Sequence, residues 1–480
     1  MQMHWSKAFD MEYECLKGLE PADFFHWFGV VSAIPRGSHK EEKIASFLQD
    51  FAAQRQYPCE TDSANNVLIR VPATPGYEDQ PPVLFQAHSD MVWRSDVPFD
   101  FEKEPIRLLR KGDRITADGT TLGADNAVGM ATMLALADGD YPHPELELLF
   151  TSAEEVGMVG ARAFDKRKLK ARRMINMDCG DSHVLCVTSA GLISGEIQKE
   201  YPLYPIPRGW EIWNLTLTGG KGGHGGISAN KSLGCGGNIL GDLLLGMEVR
   251  LCAMQGESAI IKEATATVAM PIGAKDLLLP RFDAIKTIYQ STDPDWRLEI
   301  SPGSADTALT QEDSADLILA LGTLRTGQFR CDGNRPQTIL TSGQLQLFSL
   351  EAGKLRMVFA VRSACDADQD LLFSRYQQQL KRLGLELSET RRYSGWRELP
   401  NSPLRQKFET MHQTLFGCPI DIERCHGGIE TGIIVGAIPD MDAIGLAPTA
   451  RGAHTTGEYL LIDEVAPYWQ LITAILAEKL

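Results

Sequence analysis

Four things are missing from this chain, and each absence closes off a class of function. There is no CxxC pair: the 10 cysteines of the 480-residue sequence are scattered. That excludes a thiolate zinc finger and suits reduced thiols in a cytoplasmic protein better than a disulfide scaffold. There is no long apolar run, since stretches such as 432–438 and 317–321 are too short to span a bilayer. No membrane role is expected. There is no basic patch either: 47 basic against 63 acidic residues leave a net charge of −16. Such a surface repels phosphate backbones, so no nucleic-acid partner is expected. The densest basic run, 166–173, reads as the solvated flank of a helix. Finally, residues 1–19 contain acidic side chains and lack a basic start followed by an apolar segment, unlike a secretory signal. Any bound metal must therefore rely on histidine and carboxylate.

What is present is the composition of a globular protein, 43% apolar and 23% charged, in a chain too long for one hydrophobic core. Two domains are expected. The first 180 residues alternate helix and strand patterns. Residues 41–55 read as an amphipathic helix, 67–71 as a strand, 107–117 as a hairpin and 126–137 as a helix. Three short apolar runs, 83–87, 147–151 and 174–177, read as strands buried on both faces of a sheet. Strands alternating with helices indicate an α/β sheet. The texture changes near 190, where β-like stretches in 196–218 flank a proline-rich bend. Helices over 239–251 and 314–321 and strands over 338–350 and 354–361 follow. It changes again near 393 and ends in a helix from about 464 to 479, with Asp463 as its N-cap.

Five constellations carry chemistry. His88-Ser89-Asp90 follows the first buried run, and a carboxylate two residues past a histidine can fix the tautomer that binds metal. Gly119 to Asn126 (GTTLGADN) precedes a helix, where Asp125 reads as a ligand or as an ordinary N-cap. Glu154 and Glu155 follow the second run; one can bind metal while the other faces water, or both can be a solvated pair. Asp178 closes the third run. His454 lies in the late segment GAHTTGE (452–458). Singly each has a bland reading. Together, His88, Glu154/Glu155 and Asp178 follow the carboxyl ends of buried strands, where open α/β sheets bind ligands. Two histidines and three carboxylates there can hold two divalent metals with one carboxylate bridging. Nitrogen and oxygen donors without thiolate suit zinc, manganese or cobalt.

The ordered series QAHSDM (86–91), GTTLGADNAVGMA (119–131), SAEEVGMVGA (152–161), INMD (175–178), GGKGGHGG (219–226), CHGGIETG (425–432) and GAHTTGEYL (452–460) resembles the aminoacyl-histidine dipeptidases. These belong to the co-catalytic zinc metallopeptidase clan that also contains carnosinases and aminoacylases. The resemblance is colinear from about residue 34 to the last helix. It implies two divalent metal ions per subunit, zinc first, with manganese or cobalt as alternatives. His88 would bind one metal and Asp90 orient it, Asp125 would bridge, Glu155 would be a ligand, Asp178 would complete the first metal and His454 the second. Glu154 would be the general base. His224 would meet the transition-state oxyanion, reaching the site of the partner subunit.

The resemblance also implies an α/β fold: a discontinuous catalytic domain with a mixed sheet flanked by helices, over 1–190 and 393–480. An inserted α+β lid domain, 191–392, would carry a homodimer contact. Relatives have an Asn-x-Ile-Pro stretch in the lid and a basic residue after it; here the segment is Thr267-Val268-Ala269-Met270-Pro271, followed by Ile272. Histidine specificity is thus open while the hydrolytic residues are complete. Arg362 matches a lid arginine that can pair a substrate carboxylate bidentately, and His426 and Glu430 match a substrate-side loop. The expected function is metal-dependent hydrolysis of dipeptides in the cytoplasm. Its rivals are an N-acyl-amino-acid amidohydrolase with the same centre and a non-catalytic metal-binding protein.

Overall fold

A computed structural model describes residues 13–479. The first twelve residues of the stretch read above for a targeting signal lie outside the described residues. The chain divides into two compact units: Met1–Thr188, Glu398–Arg424 and Ile429–Leu480 form one, Ser189–Arg397 and Cys425–Gly428 the other.

Among the described residues, the main sheet of the first unit has eight strands. Their order is Cys59–Thr61, Val67–Val71, Leu146–Thr151, Val83–His88, Arg173–Asn176, Asp442–Gly445, Val184–Cys186, Asp421–Glu423. The four strands from Leu146–Thr151 to Asp442–Gly445 are parallel, and Val67–Val71 pairs antiparallel at their side. The sheet is therefore mixed. Val83–His88 and Leu146–Thr151 are buried at all six positions, which is why they read as apolar runs instead of alternating patterns. The helix Ala124–Asp138 is buried from Asn126 to Ala137, so its alanine, methionine and leucine residues leave no polar face. It packs on Ala22–Ser32, whose Phe24, Phe25, Trp27 and Phe28 join the same core. Burying side chains of this size contributes roughly 1.5–3 kcal/mol each.

A second, four-stranded sheet runs Ala450–Arg451, Tyr459–Leu461, Arg114–Ala117, Leu108–Lys111. It stitches the late part of the chain to the segment just before Gly119.

The second unit is α+β. Among the described residues its sheet has nine strands, and its pairings are antiparallel. The longest, Arg335–Glu351, lies between Arg250–Glu257 and Lys354–Ser363. The helices Gly236–Leu244, Leu278–Ile288, Gln311–Thr323 and Asp366–Lys381 close a core with this sheet.

Several local expectations shift. The helix expected over 239–251 is Gly236–Leu244; it stops before Gly246, whose φ of +71° no helix accommodates, and Arg250–Glu257 is a strand. The basic run 166–173 is no helix flank: Lys166–Lys168 is one 3-10 turn capped by Asp165, and Arg173 opens a strand. The last helix is Val465–Ala477, and Glu464, not Asp463, occupies its cap position, its side chain making no capping hydrogen bond. Among the described residues no helix is long and apolar enough to cross a membrane.

Candidate functional site

Four of the expected side chains sit where a strand ends. His88 is the last residue of Val83–His88, Glu154 and Glu155 follow Leu146–Thr151, and Asp178 follows Arg173–Asn176. These are neighbouring parallel strands, so their carboxyl ends open at one edge. The small sheet delivers the remaining two. Arg114–Ala117 pairs with Tyr459–Leu461, which pairs with Ala450–Arg451. That pairing brings the loop carrying His454 to the segment carrying Asp125.

The six side chains converge. Asp125 divides its carboxylate: Oδ1 lies 2.7 Å from His88 Nε2 and Oδ2 lies 3.3 Å from His454 Nε2. His88 Nε2 is also 3.7 Å from Asp178 Oδ1, and His454 Nε2 is 2.8 Å from Glu155 Oε1. Ligand atoms of His88, Asp125 and Glu155 all lie within 4.8 Å of one another. Two clusters thus share Asp125: His88 with Asp178, and His454 with Glu155. Glu155 Oε1 is buried and receives no hydrogen bond of acceptable geometry, which is costly unless another positive group meets it. The donors are all nitrogen and oxygen, and the set fits two divalent cations. Glu154, half-buried beside Glu155, takes no part in these ion contacts.

The imidazoles and carboxylates of the cluster shift one another's proton affinity. The nearby carboxylates of Asp125 and Glu155 push the His454 pKa up to about 10. Burial opposes the charged form of His88, yet Asp125, Asp90 and Asp178 hold its pKa well above the usual imidazole range. Burial raises the carboxyl pKa of Glu154, with Asp178, Glu430 and Glu155 adding to it against the pull of His88.

The surrounding polar groups fix the cluster's geometry. His88 Nδ1 lies 3.1 Å from the Asp90 main-chain carbonyl and 3.4 Å from Asp90 Oδ1, leaving Nε2 toward Asp125. Asp90 also accepts from Ser38 Oγ at 2.8 Å and from the Glu154 and Glu155 amides at 3.0 and 3.3 Å, so it anchors the Glu-Glu turn as well. Glu41 accepts from the Ala153 amide at 2.9 Å. Asp125 is not an N-cap: Gly123 holds the cap position, and Asp125 and Asn126 have non-helical φ/ψ. His454 itself has φ +65°, a left-handed conformation that a non-glycine residue adopts only when its surroundings hold it there.

Glu430 is fully buried in this unit. Its Oε2 accepts from Gln86 Nε2 at 2.6 Å and Thr151 Oγ1 at 2.5 Å, while Oε1 has no hydrogen-bond partner. Burial pushes its pKa up to about 7. Gln86 accepts in turn from Asn176, whose Oδ1 accepts from the Asp178 amide at 3.1 Å. Glu430 thus begins a buried polar chain that ends at Asp178. Sequence reasoning does not single out Arg36, Glu41, Gln86 or Glu458; only the presence of Gln86 and Glu458 inside the quoted motifs points to two of them.

His224, Arg362 and His426 belong to the second unit. Gly226 and Ile227 amides donate to His224 Nδ1 at 3.2 and 3.1 Å, so that nitrogen is the acceptor and Nε2 carries the proton of the neutral ring. Burial and the Arg362 charge lower its pKa, favouring that neutral form. Arg362 Nε donates to Gln344 Oε1 at 3.4 Å, and the Gln344 amide donates to the Gly225 carbonyl next to His224. His426 Nε2 is 2.8 Å from Ser342 Oγ, and burial and Arg362 push its pKa down to about 3. Arg362 carries no carboxylate among its side-chain hydrogen bonds, which go to Gln344 and Tyr393.

Comparison with known proteins gives concordant matches. A family model described as peptidase family M20/M25/M40 matches residues 84–478. The chain is 31% identical over 478 residues to the cytosol non-specific dipeptidase of Escherichia coli (strain K12), covering 96% of this chain and 99% of that protein. Among solved structures, the aminoacylhistidine dipeptidase from Vibrio alginolyticus superposes with a TM-score of 0.88 at 29% identity over 98% of each chain. The aminopeptidase PepT from Bacillus cereus ATCC 10987 shares the fold, with a TM-score of 0.58 at 17% identity over 96% of this chain and 98% of that one.

Proposed function

Because the chain belongs to peptidase family M20/M25/M40, we propose that it is a dipeptidase working with two divalent cations. The observation that carries this reading is the divided carboxylate of Asp125, one oxygen toward His88 and the other toward His454. His88, Asp125 and Asp178 would hold one cation, and His454, Asp125 and Glu155 the other. Zinc suits this donor set, as do manganese and cobalt. When bound, the cations supply positive charge that polarises the scissile carbonyl and acidifies water.

The chain's own residues do the rest. Glu154 takes the proton of the attacking water and returns it to the leaving amine. His224, protonated at Nε2, donates to the developing oxyanion. Arg362 pairs the substrate carboxylate through its planar fork. The second unit acts as a lid inserted in the catalytic domain, and through it two chains form a homodimer in the cytoplasm, so that His224 serves the partner subunit's site. Leu245, Ile272, Leu277, Leu279 and Ile288 of that unit are exposed apolar side chains. Arg281, on the helix Leu278–Ile288, donates to the carbonyls of Leu243 and Leu245 and holds two of the segments carrying them together. Exposed apolar side chains on the Leu245 segment and the helix it is tied to support an interface through this unit.

Substrate class is tested with Ala-His, β-Ala-His, other dipeptides and N-acetyl-histidine on purified, metal-loaded protein. Free dipeptides should turn over and N-acetyl-histidine should not. Preferential hydrolysis of the acylated compound would replace this reading with an amidohydrolase.

Metal uptake should also release protons. A cation binds the unprotonated imidazole, and in the metal-free chain His454 keeps its proton up to about pH 10. Lowering the pH therefore favours the protonated cluster and weakens metal binding; raising it does the opposite. Calorimetric loading with Zn(II) at neutral pH should give a heat that changes with the ionisation enthalpy of the buffer. A buffer-independent heat would contradict the assignment.

A further inference from the structure

Gly123, two residues before Asp125, is gripped by opposite charges. On one side is Arg36, 1% exposed. Its Nη1 donates to the Asp90 carbonyl at 2.8 Å and more weakly to that of Ser89 at 3.4 Å, and its Nη2 donates to the Gly123 carbonyl at 2.5 Å. These acceptors are main-chain oxygens, and Nε has no hydrogen-bond partner. A guanidinium so placed is an expensive way to hold a loop unless its position matters. On the other side is Glu458, 2% exposed, which accepts from the Gly123 amide at 2.8 Å and the Asp125 amide at 3.1 Å. The fit leaves no slack. Gly123 has φ +69°, and a Cβ there would meet Arg36 Nη2 and Met91 at 2.7 Å.

We propose that Arg36 and Glu458 form a clamp on the Gly123–Asp125 main chain that positions Asp125 to share its carboxylate between two cations. The inference rests on the two-cation reading above. Arg36 ties the strand end carrying His88 and Asp90 to Gly123, so it sets the distance between the two ligands of the first cluster. Glu458 lies four residues after His454 and ties that loop to the Asp125 amide, so it sets the distance within the second. Neither touches substrate or cation. Both are positioning residues, and the clamp is built from hydrogen bonds between protein atoms alone.

The test uses metal-stripped full-length protein titrated with Co(II), read by bound-ion stoichiometry and visible absorption. Arg36→Lys keeps the charge but cannot span two carbonyls with a planar fork. Glu458→Gln keeps the shape and loses the carboxylate. Each should lower Co(II) affinity by about 10–100-fold, as loss of an outer partner typically does. Because Asp125 serves both ions, the affinities of both should fall together and the visible bands should shift. A variant that loses thermal stability yet keeps wild-type affinity and spectrum would show a merely structural role and overturn the clamp.

Should Arg36→Lys fail to fold, Glu458→Gln acts on the same peptide from the other side. Hydrogen exchange of the wild type needs no variant: the Gly123 and Asp125 amides should be protected in folded, metal-stripped protein, and rapid exchange there would overturn the proposal. A wild type that takes up no Co(II) refutes the two-cation reading, and the clamp falls with it. A wild type that takes up two ions, with variants that match it, refutes the clamp alone.

Discussion

Replacing Glu154 with alanine should lower kcat by ~10²–10⁴-fold, the usual worth of general-base assistance, while both cations stay bound. The expectation follows from where the side chain sits. Its neighbour Glu155 faces His454 at 2.8 Å, whereas the ion contacts joining His88, Asp125, Asp178, Glu155 and His454 are made without the Glu154 carboxyl. The main chain that presents both glutamates is pinned by their amides to Asp90, so losing one side chain leaves the other in place. Burial raises the Glu154 pKa, opposed by His88 and reinforced by nearby carboxylates, and a carboxylate of raised pKa is the better proton acceptor. Steady-state turnover of Ala-His, with elemental analysis of the same samples, decides it. A Glu154→Ala protein that keeps its metals and most of its turnover would remove Glu154 from the mechanism.

How much of this was legible beforehand depended on whether the information was local. The strands Val83–His88, Leu146–Thr151 and Arg173–Asn176 announce themselves because a strand covered on both faces is apolar at nearly every position. Polar residues placed directly after such runs then stand out: His88, Glu154, Glu155 and Asp178 were readable for that reason. His454 was harder, since nothing near residue 454 says that Tyr459–Leu461 pairs with Arg114–Ala117; the ordered motifs supplied that link. Asp125 could be read two ways from its neighbours, as a ligand or as a cap, and the structure withholds the cap by placing Gly123 at that position.

Least legible were the residues that act through main-chain atoms. Arg36 bonds carbonyls 53 to 87 positions away, and a carbonyl is present at every position, so no residue pattern marks it. The chain from Glu430 through Gln86 and Asn176 to the Asp178 amide is hidden in the same way. In the second unit, the helix expected over 239–251 overran its end because the leucine-rich texture continues past Leu244. Only Gly246 and the pairing of Arg250–Glu257 with Ala264–Pro271 end it.

The account stands or falls on Asp125 as a shared ligand. Its two oxygens face different histidines, 2.7 Å from His88 Nε2 and 3.3 Å from His454 Nε2. Removing it strips a donor from both clusters and leaves the imidazoles without the carboxylate between them. Glu155 and His454 each belong to one cluster. The measurement is metal content by elemental analysis of the wild type, Asp125→Ala, Glu155→Ala and His454→Ala after the same dialysis, with folding checked by circular dichroism. The account predicts two ions per wild-type chain, chiefly one lost in Glu155→Ala and in His454→Ala, and depletion of both in Asp125→Ala. Equal loss of a single ion in all three folded variants would contradict it.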